Sequence, residues 1–456
     1  MKEELLKFNI GLVSILVLFI SIIFFFDLTY ANYDNWQHFL ISKYFFYKPQ
    51  LGLDTWGKPV FTVLCAPFAQ LGFKGAQLFN FACLFLSFII ITKILKLINV
   101  VIHWFLLVLV IGSPVFFMCT ISSLTEPLFS LLLLMSIYLY IKDKILYSIL
   151  ILSFLPFVRN EAYFMWIPFC FLLLKDRKIW YVTLLSFGSF LFIIISSIYY
   201  NDVLFLIRDN HYLNHNGHYG SGSVFHFFIR IPEWFGIVSA SLLIYLFKDS
   251  ITVIRKMESN TDKVIYLTLS CFLIYLFIHI IFWTFGIMGS LGLSRVMGGV
   301  TTIGALSIYI LFVKRNLHQN KILVLSSSFL VIFNLIVGVY FIEKYQSDVI
   351  FDIIQVLEQK GLTENYKIHY FDPEIPVRLD KNPFGTDVAE MKGIEDFNKI
   401  QMNEIVVWDT YCETEVGLNK KLFISDKFEI IHQQKEDYFT YSGRQIERII
   451  FKKIKK

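Results

Sequence analysis

The sequence predicts an α-helical polytopic membrane protein with a small C-terminal α/β domain. Three observations lead there. The chain of 456 residues is 56% hydrophobic and only 17% charged, whereas soluble domains carry about 25% charged residues. Long apolar runs follow one another through residues 1–342, as in a chain that crosses a bilayer many times. Residues 343–456 change character, becoming charged and carrying short β-type runs.

The apolar segments number about eleven, several of them shorter than the ~20 residues that a straight spanning helix needs. They cover roughly 8–26, 75–95, 101–119, 127–141, 145–157, 161–174, 179–199, 233–247, 264–283, 300–313 and 322–342. The first follows Lys2 and Lys7 and runs for 19 residues. That exceeds the roughly 7–15 residues of a signal-peptide core, so it reads as the first transmembrane helix. The pair 145–157 and 161–174 reads either as two short spans or as one re-entrant hairpin. Val60 to Phe73 is short and interrupted by Pro67, which suits the membrane interface. In the tail, KIHYF (367–371), EIVVW (404–408), FEIIH (428–432) and ERIIF (447–451) read as strands, with helix between them, for example over 347–360. A tail of this length is enough for a modest core.

Positive charge gives the topology. Lys and Arg concentrate on cytoplasmic loops. With the N-terminus cytoplasmic and the spans alternating, Lys93/Lys96, Lys142/Lys144, Lys175/Arg177/Lys178, Lys248 through Lys263 and Lys314/Arg315/Lys321 all fall inside. One miscounted span would break the pattern. The other face receives 27–59, 120–126, 158–160, 200–232, 284–299 and the C-terminal domain, which is therefore extracytoplasmic. ATP and nucleotide sugars lie on the opposite side, so a membrane-anchored donor fits better. The net charge of +5 follows from this topology. The chain shows no basic cluster interleaved with aromatics outside the membrane, so nucleic acid is not an expected partner. Five of the six cysteines lie in or beside apolar segments and only Cys412 lies in the tail. No CxxC pair or zinc spacing appears, and buried apolar packing accounts for them.

The outer loops carry the polar chemistry. NYDNWQH (32–38) follows the first span. A carboxylate there, Asp34, can deprotonate an acceptor hydroxyl or hold a divalent cation. If 33–46 is a short amphipathic helix on the membrane surface, Asp34, Gln37 and His38 share a face. LDTWGKPV (53–60) places Asp54 and Lys58 near the bilayer, where a lone ammonium suits a lipid phosphate or simply snorkels. SSLTEPLF places Glu126 at a helix start, which is good N-terminal chemistry and also a polar floor for a cavity. FVRNEAYF places Arg159, Asn160 and Glu161 at a turn, as an Arg–Glu pair or as a clamp for a phosphate or sugar hydroxyl. RDNHYLNHNGHYGSGS (208–223) holds His211, His215 and His218. Its Asn and Gly residues favour a loop closing over substrate rather than a metal face. GIMGSLGLSRVMGG (286–299) surrounds Arg295, a lone charge suited to an anion, with five glycines that permit close backbone approach or helix contact.

Taken in order, these pieces resemble the GT-C superfamily of integral-membrane glycosyltransferases over residues 1 to about 342. Asp34 in YDNWQHF matches the essential acid of the family's first outer loop. LDTWGKP resembles the segment in which aminoarabinose and mannosyl transferases carry a Lys-Pro, so Lys58 takes the position facing the carrier phosphate. Thr125–Pro127 and Arg159–Glu161 look like the TEP and R-x-E segments of GPI- and dolichol-linked mannosyltransferase relatives. The resemblance implies a sugar donor on a polyprenyl phosphate and a glycan, lipid or protein acceptor in a bacterial cell envelope. It implies Asp34 as general base, with Gln37, His38, Asp54, Lys58, Glu126, Arg159, Glu161, His218 and Arg295 binding substrate, and inversion at the sugar. Many members carry two adjacent acids in the first loop. Here Asn35 follows Asp34, which leaves open whether a divalent cation (Mg or Mn) takes part. Two other classes stay in view. A transporter or flippase would show mid-bilayer polar residues and inverted repeats, and an O-antigen polymerase or ligase would share the envelope setting.

Overall fold

The computed structural model describes residues 2–30, 32–208, 219–344, 349–439 and 445–455. The chain divides into two compact units, Met1–Tyr30 with Ile41–Ile342, and Ala31–Leu40 with Glu343–Lys456.

The first unit is helical. Among the described residues, six helices are long and apolar enough to cross a membrane: Glu3–Phe25, Phe73–Leu97, Ile179–Tyr200, Asn260–Phe285, Ser294–Lys314 and Lys321–Ile342. A seventh arises if Ile237–Tyr245 and Phe247–Arg255, bent by 53°, count as one span. Shorter apolar helices cover Pro59–Ala69, Glu126–Ile141 and Ile145–Phe157. The predicted segment 101–119 is two helices, Phe105–Ile111 and Pro114–Thr120. Pro114 cannot continue a helix from the preceding turn. Ser113 instead starts the second one, accepting from the Phe116 amide and donating to the Trp234 carbonyl at 2.7 Å. Ser294–Lys314 is the unit's central helix, with 94% of its apolar stretch buried. Its small residues allow this: Ser307 bonds Thr268, and Thr302 bonds Ser130.

The charged loops sort to two ends. Lys263 meets Asp176 at 2.8 Å, Lys314 meets Asp262 at 3.4 Å, Arg315 meets Asp249 at 2.6 Å and Lys178 pairs with Asp143. The loops predicted to share one face are therefore tied to one another by ion pairs. Lys58, Thr125 and Arg159 gather among loops at the opposite helix ends.

The second unit is a small α/β fold. Its strands are β1 Ile368–Tyr370, β2 Val388–Glu390, β3 Ile405–Asp409, β4 Phe428–Phe439 and β5 Gln445–Lys453. Their order is β2-β1-β3-β5-β4. β2, β1 and β3 run parallel, and β5 and β4 complete an antiparallel edge. The four predicted runs supply β1, β3, β4 and β5. Ile350, Ile353, Ile354 and Leu357 line one face of the helix Val349–Gln359 and pack on one side of the sheet, against Ile368, Ile405 and Ile450. Val406, Trp408, Ile449 and Phe451 form the core on the other side, where Tyr33 also packs.

Candidate functional site

The site in the first unit begins at a turn. Asp54 Oδ1 accepts from the amides of Trp56 and Gly57, both at 2.8 Å, a local Asx turn. Gly57 fits because a Cβ there would meet Ile41 Cγ2 at 2.9 Å. The turn delivers Lys58 in a left-handed conformation, φ 63°, one residue before Pro59 opens a helix. A side chain in that region costs about 1–2 kcal/mol, so the surroundings impose the geometry. Lys58 is only 4% exposed. Burial pushes its ammonium down to about 7, with Glu161, Asp54 and Glu126 pulling the other way and Arg159 reinforcing the fall.

Arg159 is the hub. Its Nη1 donates to Glu126 Oε1 at 2.6 Å and to Thr125 Oγ1 at 3.3 Å. Nη2 donates to Glu161 Oε1 at 3.2 Å, and Nε to the Tyr275 hydroxyl at 2.9 Å. Charge-assisted bonds of this kind are about twice as strong as neutral ones. Glu126 is 2% exposed, and its Oε2 has no hydrogen-bond partner among the described residues. His279 lies one turn beyond Tyr275, with Nε2 3.4 Å from Glu161 Oε1.

Two supports fix the Thr125–Glu126 pair. Asn80 donates to the carbonyls of Ser122 at 2.6 Å and Leu124 at 2.8 Å, holding the loop that leads into it. Gly298 lies against Glu126, and a Cβ at Gly299 would meet Phe129 at 2.8 Å. Thr125 makes no side-chain cap for its own helix; its hydroxyl accepts from Arg159.

The predicted residues fall into groups. Lys58, Glu126, Arg159 and Glu161 come together. Asp54 is the local organiser of Lys58. Arg295, on the short turn Ser294–Met297, has the Tyr30 phenol as its electrostatic neighbour, and Tyr30 is also within reach of Glu126. Two of the nearby glycines admit the protein's own rings: a Cβ at Gly292 would meet the Trp283 indole at 2.7 Å, and one at Gly299 would meet Phe129. His211, His215 and His218 lie outside the described residues. The sequence reading misses Tyr30, Tyr275 and His279. The available signal is His279, an imidazole inside a long apolar run, which marks function or a partner in membrane helices.

Asp34, Gln37 and His38 belong to the second unit. They sit on the helix Asn32–Tyr44, close to the predicted 33–46. Asp34 and Gln37 are half-buried and His38 is buried. On the neighbouring face, the Tyr33 hydroxyl donates to Glu390 Oε1 at 3.1 Å and its ring stacks on Phe371 at 5.2 Å. The Arg378 guanidinium lies 5.9 Å from the Trp36 ring centre.

Among the described residues, no group of three or more His, Cys, Asp or Glu side chains is placed to hold a metal ion. Glu126 and Glu161 are both engaged by Arg159.

No protein-family model and no curated protein matches the chain. Among solved structures, the crystal structure of ArnT from Cupriavidus metallidurans bound to undecaprenyl phosphate aligns with a TM-score of 0.62 at 10% identity. The alignment covers 97% of this chain and 97% of that one. The chain therefore shares the fold of that structure, and it is the polytopic helical protein with a small C-terminal sheet expected from its sequence.

Proposed function

We propose that the chain is an integral-membrane glycosyltransferase that takes a sugar from a polyprenyl-phosphate donor. The observation that carries this reading is the buried cluster of Lys58, Arg159, Glu126 and Glu161 in the membrane unit. The fold of the chain matches, along nearly the whole of both chains, that of ArnT, whose structure holds undecaprenyl phosphate. Fold alone does not assign chemistry, but ionisable groups gathered and buried in a membrane protein are a marker of function.

In the proposed reaction, an acceptor oxygen attacks the anomeric carbon and its bond to the phosphate oxygen breaks. The polyprenyl phosphate leaves with the electron pair. Lys58, Arg159 and Arg295 stabilise the charge that develops on it. Asp34 takes the acceptor proton as general base. A single direct displacement inverts the anomeric centre. The acceptor, a glycan, lipid or protein, is met on the extracytoplasmic face, with the N-terminus cytoplasmic and the C-terminal domain outside.

The test uses the full chain in nanodiscs, a radiolabelled polyprenyl-phosphate sugar and a membrane extract as acceptor. We expect label to move to acceptor while polyprenyl phosphate is released, and Asp34→Asn to reduce transfer at least ~100-fold without lowering the melting midpoint. Wild-type transfer by Asp34→Asn would remove the general base. Movement of the lipid-linked sugar across the bilayer without transfer would replace the enzyme by a flippase.

A further inference from the structure

The helix that carries Asp34 packs, over residues 31–40, as part of the C-terminal unit. It does so at one specific place. Phe371 directly follows β1 and Glu390 ends β2, so Tyr33 touches the carboxyl ends of two neighbouring parallel strands. Arg378, over Trp36, ends the short helix that follows β1. In open parallel sheets, the carboxyl ends of the strands are where ligands bind. Here the protein's own helix takes that place.

We infer that the C-terminal α/β domain is a positioning device for the Asp34 helix, with Tyr33 and Trp36 as its two handles. Thirteen residues of mixed polarity are marginal as an isolated helix, so tertiary contacts set where such a helix sits. Tyr33 and Trp36 are three residues apart and share a face. That face meets the sheet end through a hydrogen bond, a ring stack and a cation over an indole. Asp34 and His38, four residues apart, project from a face turned about 100° or more from Tyr33. Fixing the handles therefore fixes the direction of the carboxylate. The second handle has its own support: Arg378 Nε donates to Glu374 Oε1 at 2.6 Å, and the Glu374 amide donates to Asp372 Oδ1 at 3.0 Å.

This inference rests on Asp34 being the base, and its test separates the two ideas. Hydrogen exchange over residues 32–44 would be measured by mass spectrometry on the full chain in nanodiscs, beside transfer kinetics with the radiolabelled donor. Tyr33→Phe keeps the ring and removes the hydroxyl that donates to Glu390; Glu390→Gln keeps an acceptor, and Glu390→Leu does not. We expect Tyr33→Phe and Glu390→Leu to speed exchange in 32–40 at least ~fivefold, as loss of one hydrogen bond should. They should lower kcat about tenfold with the donor KM within about twofold, while Glu390→Gln stays near wild type. A merely structural contact would lower the melting midpoint without this split between kcat and KM. Unchanged exchange and kcat in Tyr33→Phe and Glu390→Leu would overturn the positioning role while Asp34→Asn remained inactive. If Asp34→Asn transferred sugar at the wild-type rate, the base would fall. Exchange in 32–40 would then still decide whether the domain holds the helix.

Discussion

Arg159 shows how much one side chain can carry. Its guanidinium reaches Glu126, Thr125, Glu161 and Tyr275, a set that a lysine, with a single point of charge, cannot reproduce. Removing one partner of a buried pair costs roughly 3–5 kcal/mol, because the other is left charged and uncompensated. Arg159→Met should therefore lower the melting midpoint in detergent sharply. Adding Glu126→Gln and Glu161→Gln should restore part of it, since the buried charges then vanish together. Lys58 is expected to respond to pH instead. Burial pushes its ammonium down to about 7, so it loses its charge as pH rises through that value. If the proposed polyprenyl-phosphate carrier meets Lys58, its binding, followed by fluorescence titration, should weaken up to about tenfold per pH unit above 7 through this group. Lys58→Arg stays charged throughout and should remove that part of the pH dependence. A pH profile identical in both proteins would mean that Lys58 does not meet the phosphate.

At the scale of elements, the glycines of 286–299 meet partners of three kinds. Either a close approach to ligand or a helix contact suited them; Gly286 lies against the Gly220 backbone, Gly298 against Glu126 and Cys119, and two others against rings. A Cβ at Gly299 would meet Phe129 at 2.8 Å, and one at Gly292 would meet Trp283 at 2.7 Å. Overpacking of this kind costs about 1–3 kcal/mol. Gly299→Val should also push on the helix start that bears Glu126, so transfer should fall more steeply than the melting midpoint when both are measured. The TEP and RNE segments stand out in the sequence because polar motifs are rare in a membrane chain, but the pairing of Glu126 with Arg159 was not legible there. What presses on a glycine was not legible, because it comes from a segment far away in sequence. The same holds for Tyr275 and His279, whose roles appear only when Arg159 and its partner Glu161 reach them. β2 escaped for a simpler reason: three residues, Val388–Glu390, are too few to show alternation. The long spans were legible by length alone, whereas 101–119 hid a break at Pro114 that merges into one apolar run when only hydropathy is read.

At the scale of the whole molecule, a chain built mainly for lipid carries one unit whose stability is set by buried acids. Asp372 and Glu374 follow β1, and Asp409 ends β3 opposite Arg448 on β5; all four are buried. Burial raises the Asp372 carboxyl to about 6, with Arg448 and Arg378 opposing and Asp409 adding to the rise. Burial likewise raises Glu374 to about 7, helped by Asp372 and opposed by Arg378 and Arg448, and it raises Asp409. A carboxyl whose folded value lies above its unfolded one binds its proton more tightly in the folded state. Its contribution to stability is complete below the unfolded value, near 4, and is lost as pH rises through the folded value. These acids therefore favour the folded unit at pH 5 over pH 7.5. The melting midpoint of the full chain should fall from pH 5 to pH 7.5 by several degrees more in the wild type than in Asp372→Asn/Glu374→Gln. Equal slopes in the two proteins would mean that the cluster keeps its charge state through folding, with Arg378 and Arg448 outweighing burial.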